Sequence, residues 1–485
     1  MVLKGFLKNV QKLMHDDPGT ISNKQIIRQL SWLLFLKVYD YKEKEREALN
    51  PQYKSVIPEK YRWRNWTINL EDDSSLTGRE LLKFINEELI PSLKKIECKK
   101  NSPMHEKIVY YTVKDIKNYS KDGYIFKAVI IELNSIKLSN KVECDQIAHE
   151  FKENLMDLFR NTGTKEFFTP IGICDFIAET LNPKIGNDVM DFCCGTGGLL
   201  NSILELQSKQ IESKEDYEKF VNSIYGIEKN STFYILCIIN LLLHGINEPH
   251  IYHQDAFEDK TLNLLSDKKF KTIVLNPPFE GSTDTDWEHE ILENKKLEDN
   301  FLELAMEYLD DYGQAAIIMS DDFFTETGVN KRQIKEKLFK KFNLHTIIRL
   351  PPTVFAPYSN VKTNILFFCN NGTTKKTWFY RLDLPEGYKS FSLNNPIELK
   401  HFKEIESWIE NKHEIEVNGN YKAKKCSIDE IKLNEYRLNY CNIPYVKNSL
   451  PPEELIDNYL EKTEEYSKEI NKALKNIKNE LNKEE

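Results

Sequence analysis

The chain has 485 residues and a formal net charge of −9, with 40% hydrophobic and 29% charged residues. That length allows about three domains of ~150 residues each, and the balance supports a sizeable core and excludes a disordered chain. Phe and Tyr number 26 and 23 against only 18 Gly and 18 Pro, which excludes collagen-like and low-complexity classes.

The N-terminus, Met1-Val2-Leu3-Lys4-Gly5-Phe6 with Lys8 and Lys12 behind it, lacks the apolar core and cleavage site of a signal peptide. Residues 1–67 hold 13 Lys/Arg against 7 Asp/Glu and read mostly as helix. Leu30, Leu33, Leu34, Val38 and Tyr39 recur at helical spacing, with charges from Lys42 to Glu47 on the outer face. A second helix is predicted from Gly78 to Ile96, through Leu81, Leu82, Ile85 and Leu89, with Pro91 bending or ending its first half. Residues 1–150 are therefore expected to form an N-terminal helical domain.

From about residue 180, short apolar runs alternate with helical stretches. Strands are predicted at Asp188–Phe192, Ser223–Glu228, Ile251–His253, Thr272–Leu275, Ala315–Met319, His345–Leu350 and Thr363–Phe368. Strands separated by helices imply an α/β domain, here 151–445, with a mainly parallel sheet of about seven strands covered on both faces. The last two strands have no long helix between them, which suits an antiparallel pair. Phe233–Leu243 is the most apolar stretch, but it is 11 residues long and holds Asn240. A bilayer span needs ~20 residues, so no membrane helix and a cytoplasmic location are expected.

The tail is expected to form a third region, 446–485. Ile456, Tyr459, Thr463, Tyr466, Ile470, Leu474, Ile477 and Leu481 step by threes and fours, the period of a helix lying against other helices. Either a partner or the chain's own domain could cover that seam; the narrow seam and charged remainder favour a partner. The nine cysteines are odd in number, irregularly spaced and without a C-x-x-C pair, so neither a disulfide framework nor a metal site is expected. Adjacent Cys193 and Cys194 read as small buried residues. An acidic chain that binds DNA must concentrate positive charge locally or borrow it from a partner.

Val189 to Leu200 reads as strand, glycine-rich turn and helix. Gly195, Gly197 and Gly198 let the backbone approach a nucleotide-like ligand, and Asp191 ends the strand where open α/β sheets bind ligands. The dinucleotide fingerprint fails, because its third glycine position is Leu200. Glu228 closes the next strand and could accept both hydroxyls of a ribose. Asp255, after the third strand, could accept from an adenine amino group. Any one of these acids could be a solvated loop residue, but three at successive strand ends point to a cofactor cleft.

The most specific feature is Asn276-Pro277-Pro278-Phe279, directly after the strand Thr272–Leu275. Two prolines fix the backbone and deny it donors. The acceptors that remain are the Asn276 side-chain oxygen and the Pro277 carbonyl. This array suits a planar NH₂ whose lone pair is delocalised into a ring. Accepting both hydrogens pulls the nitrogen towards tetrahedral geometry and frees the pair to attack. The Phe279 ring can stack on the substrate base, an interaction worth roughly 1–3 kcal/mol.

With these motifs in order, the chain resembles the modification subunit of type I restriction–modification systems, among the amino-methylating, S-adenosylmethionine-dependent DNA methyltransferases. Glu166-Phe167-Phe168-Thr169-Pro170-Ile171 matches the family's segment ahead of the glycine loop, which helps hold the methionine part of the cofactor. Asp191 to Gly198, Thr196 included, matches the cofactor loop, although the family more often carries Pro where Phe192 stands. Glu228 with Leu241 to Ile246 matches the ribose strand and the next helix. Later matches are Leu350 to Pro357 and Lys362 to Leu366.

The resemblance implies the class I methyltransferase fold, S-adenosyl-L-methionine as cofactor, and methylation of adenine N6 in a flipped-out base. It also implies partners: DNA, a separate specificity subunit that reads the site, and a restriction subunit in the full complex. No P-loop is present, so a translocating motor and cleavage would belong to another chain. The rival readings are a solitary DNA adenine methyltransferase and, further off, a protein-glutamine or RNA adenine methyltransferase. A catalytically dead binding scaffold is opposed by the intact Asn276–Phe279 loop.

Overall fold

Helices form first along the chain, and their starts are written in side-chain caps. Ser22 caps the helix Asn23–Leu49: its hydroxyl accepts from the Gln25 N–H, and the Gln25 side chain accepts in return from the Ser22 N–H at 3.2 Å. Nearly every residue of this helix from Ile26 to Glu43 is buried, the mark of a helix enclosed by others. The computed structural model describes residues 2–20, 22–68, 70, 76–99, 101–138, 140, 142–148, 168–279, 296–356, 359, 361–392 and 395–442, with positions 460, 463, 467, 468, 470 and 474. Among these no helix is long and apolar enough to cross a membrane.

The predicted helix from Gly78 continues past Pro91, but its register changes. It is α-helical over Gly78–Lys83, π-helical over Phe84–Leu89 and α-helical again over Ile90–Lys94. Pro91 has no N–H to offer the Glu87 carbonyl, and the wider turn ahead of it absorbs the mismatch.

The described strands build one sheet. They are β1 Val189–Asp191, β2 Ile224–Ile227, β3 His250–Tyr252, β4 Phe270–Leu275, β5 Leu309–Ser320, β6 Asn343–Arg349, β7 Thr363–Cys369, β8 Lys376–Arg381, β9 Ile415–Val417 and β10 Asn420–Ser427. Their order is β3-β2-β1-β4-β5-β7-β6-β8-β10-β9. The stretch β3 to β5 is parallel, β7 is antiparallel to both its neighbours, and β8 returns parallel to β6. The fold class is the α/β mixed sheet expected, with ten strands rather than about seven.

β8, β9 and β10 are the strands beyond the seven expected; β8 carries Trp378, Phe379 and Tyr380, whereas β9 and β10 lack an apolar run. β10 carries three lysines, and only Ala423 and Cys426 are buried along it. The antiparallel ladder to β8, not apolar content, holds it in place.

Alternate residues of each strand enter two separate cores. Val189, Ile224, Val274, Ile318 and Ile365 face one side, and Met190, Tyr225, Ile273, Ile317 and Leu366 the other. The first core runs without a break into the N-terminal helices, taking in Trp32, Phe35, Tyr39 and Phe126. Helix Asn23–Leu49 lies along helix Ser231–Leu243, which is buried from Thr232 to Leu243. Polar ties reinforce the contact: Arg46 donates to the Asn247 carbonyl at 2.7 Å, and His105 meets Glu248 at 2.8 Å.

Compactness divides the chain at 442, into Met1–Asn442 and Ile443–Glu485. All six described positions of the second unit are helical. Of the expected seam, Thr463, Ile470 and Leu474 are described; Ile456, Tyr459, Tyr466, Ile477 and Leu481 lie outside the described residues.

Candidate active site

The strand order reverses at β1, which has β2 on one side and β4 on the other. In open α/β sheets the crevice at such a switch point, outside the carboxyl ends of the strands, is where ligands bind. Asp191 ends β1 and Asn276 follows β4, so the register of these two parallel strands brings the glycine turn and the Asn-Pro-Pro turn together. A cavity of about 730 Å³, counting its open mouth, lies between them. Phe168, Thr169, Ile171, Asp191, Gly195, Thr196, Gly198 and Asn276 line it.

The glycine turn is shaped by backbone that side chains would obstruct. Gly197 has φ +84°, and a Cβ there would stand 3.0 Å from the Cys237 sulfur. Gly195 has φ +56°, and a Cβ there would meet nothing within 4 Å. The Gly195 N–H is held by Glu228 Oε2 at 2.8 Å, while Glu228 Oε1 accepts from the Asn230 N–H at 2.6 Å. Glu228 is therefore tied to the turn from the neighbouring strand end. Thr196 is fixed through its carbonyl, which accepts from Asn240 Nδ2 at 2.9 Å.

Asp191 is 2% exposed, and its Oδ1 accepts from the Cys193 N–H at 3.0 Å. Burial pushes its carboxyl up to about 7; the Cys193 N–H opposes this and the charge of Glu228 adds to it. A buried acid poised near neutrality, in a cleft, is a functional-site signal.

Asn276 supplies the other wall. Its Nδ2 donates to the Thr169 hydroxyl at 2.8 Å, and its Oδ1 is buried without a partner among the described residues. Pro277 is buried, Pro278 exposed and Phe279 partly buried. The Phe279 ring stands edge-on to Phe355, centroids 5.7 Å apart. Phe168 packs edge-on against Phe233 at 5.4 Å. Pro170 lies outside the lining and opens the helix Ile171–Leu181, its carbonyl accepting from the Ile173 and Cys174 N–H groups.

Asp255 is not among the lining residues. Its carboxylate meets Lys229 Nζ at 2.8 Å and accepts from the Phe257 N–H at 3.0 Å. Glu166 and Phe167 lie outside the described residues. Cys194 is buried as expected, but Cys193 is only partly buried and lines the cavity. Sequence reasoning missed Phe233, Asn201 and Asn240, which also line it. Both side-chain polar atoms of Asn201, and Asn240 Oδ1, are buried without a partner among the described residues. The available signal was Asn240 itself, the one polar residue within Phe233–Leu243.

Comparison with known proteins identifies the family. The profile of the N-6 DNA methylase family matches residues 144–449, and that of the HsdM N-terminal domain matches residues 3–133. The EcoEI type I restriction enzyme methylase subunit of Escherichia coli is 35% identical over 95% of this chain and 94% of its own length. The EcoKI methylase subunit of E. coli K12 is 26% identical over 80% of this chain and 72% of its own. Among solved structures, a modification subunit ascribed to a type I restriction enzyme of Vibrio vulnificus YJ016 superposes with a TM-score of 0.75. It is 29% identical and covers 89% of this chain and 93% of that one. A chain from a structure on complex assembly and conformational transition of the type I system gives 0.80 at 27% identity, over 99% and 98%. The chain therefore belongs to the N-6 DNA methylase family, as the adenine-methylating methylase subunit of a type I restriction–modification system.

Proposed function

We propose that this cleft holds S-adenosyl-L-methionine beside a flipped adenine, and that Asn276 carries the chemistry. When bound, the cofactor supplies an electrophilic methyl group. The residues present fit it. Gly195 leaves open space where a side chain would project, Glu228 stands at the strand end suited to ribose hydroxyls, and buried Asp191 offers charge of the sign that a cationic ligand needs. Thr169, Thr196 and Phe168 would bound the methionine part, with Gly197 and Gly198 shaping the turn. Glu166, Phe167, Pro170 and Ile171 belong to the same proposed segment. Asp255 is proposed for the adenine end, at the cost of loosening its pair with Lys229.

The observation that carries the reading is the unpaired Asn276 Oδ1. With Nδ2 engaged by Thr169, the amide presents an acceptor, and an unmet buried acceptor costs roughly 1–3 kcal/mol unless something arrives to fill it. An exocyclic amino group fills it. Asn276 Oδ1 and the Pro277 carbonyl would each take one N–H and localise the nitrogen lone pair. Pro278 fixes the turn, and Phe279 would stack on the base.

A net charge of −9 makes tight DNA binding by this chain alone unfavourable, so a specificity subunit is proposed to bring the duplex and read its sequence. The tail seam is its proposed docking element. The restriction subunit would join the full complex, in the cytoplasm. The test is a cofactor-binding titration of the purified chain, followed by a methylation assay with and without the co-expressed specificity subunit. Cofactor binding by the chain alone, and site-specific methylation only by the pair, is the expected result. Site-specific methylation by the chain alone would instead identify a solitary enzyme.

A further inference from the structure

β5 runs parallel to β4, and β7 is antiparallel to both β5 and β6, so β6 points the same way as β4. β8 is parallel to β6. The amino ends of β6 and β8 therefore lie at the end of the sheet opposite Asn276. There an open cleft of about 800 Å³ is lined by His345 of β6, Lys375 in the β7–β8 turn, Lys376 and Trp378 of β8, and Lys412 from beyond the helix Lys403–Glu410. The remaining lining is amide and hydroxyl, and no carboxylate contributes.

This lysine cluster differs from others in the fold. Lys331 sits on Asp299 at 2.6 Å, Lys422 on Glu404 at 2.7 Å and Lys424 on Glu430 at 2.7 Å. Lys375, Lys376 and Lys412 form no ion pair among the described residues. Lys412 Nζ donates to the Thr346 hydroxyl at 2.5 Å and lies 6.0 Å from the Trp408 ring centroid. Burial pulls its ammonium down to about 8, and the charge of Lys376 pulls the same way, against the Cys369 thiol. Trp378 is partly exposed, with Lys425 Nζ 5.7 Å from its ring centroid. Cationic groups gathered in a cleft without counter-charge repel one another, and a bound anion removes that cost.

We propose that this cleft is an anion site for phosphate groups, distinct from the methyltransferase cleft. The phosphate is carried either by a nucleic-acid strand, for which basic side chains beside an aromatic ring are the usual lining, or by a free polyphosphate. Convergence of three sequence-distant segments on one carboxylate-free pocket is the juxtaposition behind it. The site needs neither the cofactor nor the specificity subunit.

The test uses the full chain in low salt, titrated calorimetrically with pyrophosphate and, separately, with a ten-nucleotide single-stranded oligothymidylate. Lys375→Gln with Lys376→Gln is the first variant, since both side chains are exposed and their loss leaves the core intact. Lys412→Gln is the second. Each variant is expected to weaken binding of at least one probe by about tenfold or more. For the oligonucleotide, the slope of log affinity against log salt should fall by ~0.7 per lysine removed. Loss for both probes assigns a general phosphate site, and loss for the oligonucleotide alone assigns a strand. Binding of both probes by the double variant as by the native chain overturns the proposal, as does failure of the native chain to bind either.

Discussion

The two sides of the candidate cleft are built on opposite principles. On the β1–β2 side the carboxylates are engaged by the chain's own backbone: Asp191, which lines the cavity, takes the N–H of Cys193, and Glu228, which is not among the lining residues, takes the N–H groups of Gly195 and Asn230. On the β4 side Asn276 is fixed at one end and open at the other. A surface meant to hold a ligand can be satisfied in advance and stay ordered without it. A group meant to alter a substrate's electrons has to keep a hydrogen-bond acceptor open until that substrate arrives.

Asn276→Ala should break this contrast most sharply. Methyl transfer is expected to fall by ~10²–10³ or more, with cofactor affinity nearly unchanged, as read by single-turnover methylation beside calorimetry. Near-normal turnover would remove Asn276 from the chemistry. Glu228→Ala attacks the other wall. It should weaken cofactor binding by about 10- to 100-fold for each ribose hydroxyl bond lost, since a hydrogen bond to a charged group contributes roughly 1.5–3 kcal/mol, and it frees the Gly195 N–H as well. Unchanged affinity would make Glu228 a support of the loop and nothing more.

Asp191 gives the contrast a pH axis. Its carboxyl is raised to about 7, chiefly by burial. The protonated form is favoured in the folded state, so this group's contribution to stability is complete below about pH 4 and is lost as pH rises through 7. Binding of a cationic cofactor runs the other way, because it needs the ionised form. Affinity should climb by up to ~10-fold from pH 6 to pH 8, and Asp191→Asn should flatten the profile. An unchanged profile in that variant would assign the pH dependence to another group.

The smallest effects separate the two glycines. Gly197→Ala meets both a left-handed backbone and the Cys237 sulfur, and should destabilise the fold by ~1–2 kcal/mol or more. Gly195→Ala meets only the backbone penalty. Its thermal midpoint should shift less, while its methyl group should cost cofactor affinity. Equal shifts in both would show that Cys237 moves aside freely.

Much of this site was legible because its chemistry requires unusual residues. A glycine turn after an apolar strand and a double proline after Asn are local, and local signals survive translation into sequence. Asn201, Phe233 and Asn240 reach the cleft only through the packing of their helices, so spacing along the chain says nothing of them beyond the odd Asn240 in an apolar run. The same holds for the fold. β1 to β7 announced themselves by apolar runs, whereas β9 is largely exposed and β10 carries three lysines. Such strands exist because a neighbour offers a ladder, as β8 does for β10 and β10 for the edge strand β9, and that information belongs to the neighbour.

The unbroken core between sheet and N-terminal helices has a consequence for cooperativity. Two family profiles meet near residue 140, as though the enzyme were two interchangeable modules. Yet helix Ser231–Leu243 is buried all round, and helix Asn23–Leu49 supplies part of its cover. A fragment beginning at residue 144 would expose that apolar flank to water and aggregate sooner than fold. Heated, residues 1–442 should melt in one transition for helices and sheet together, so a lesion at Trp32 or Phe35 would be felt at the glycine turn as a loss of the whole body.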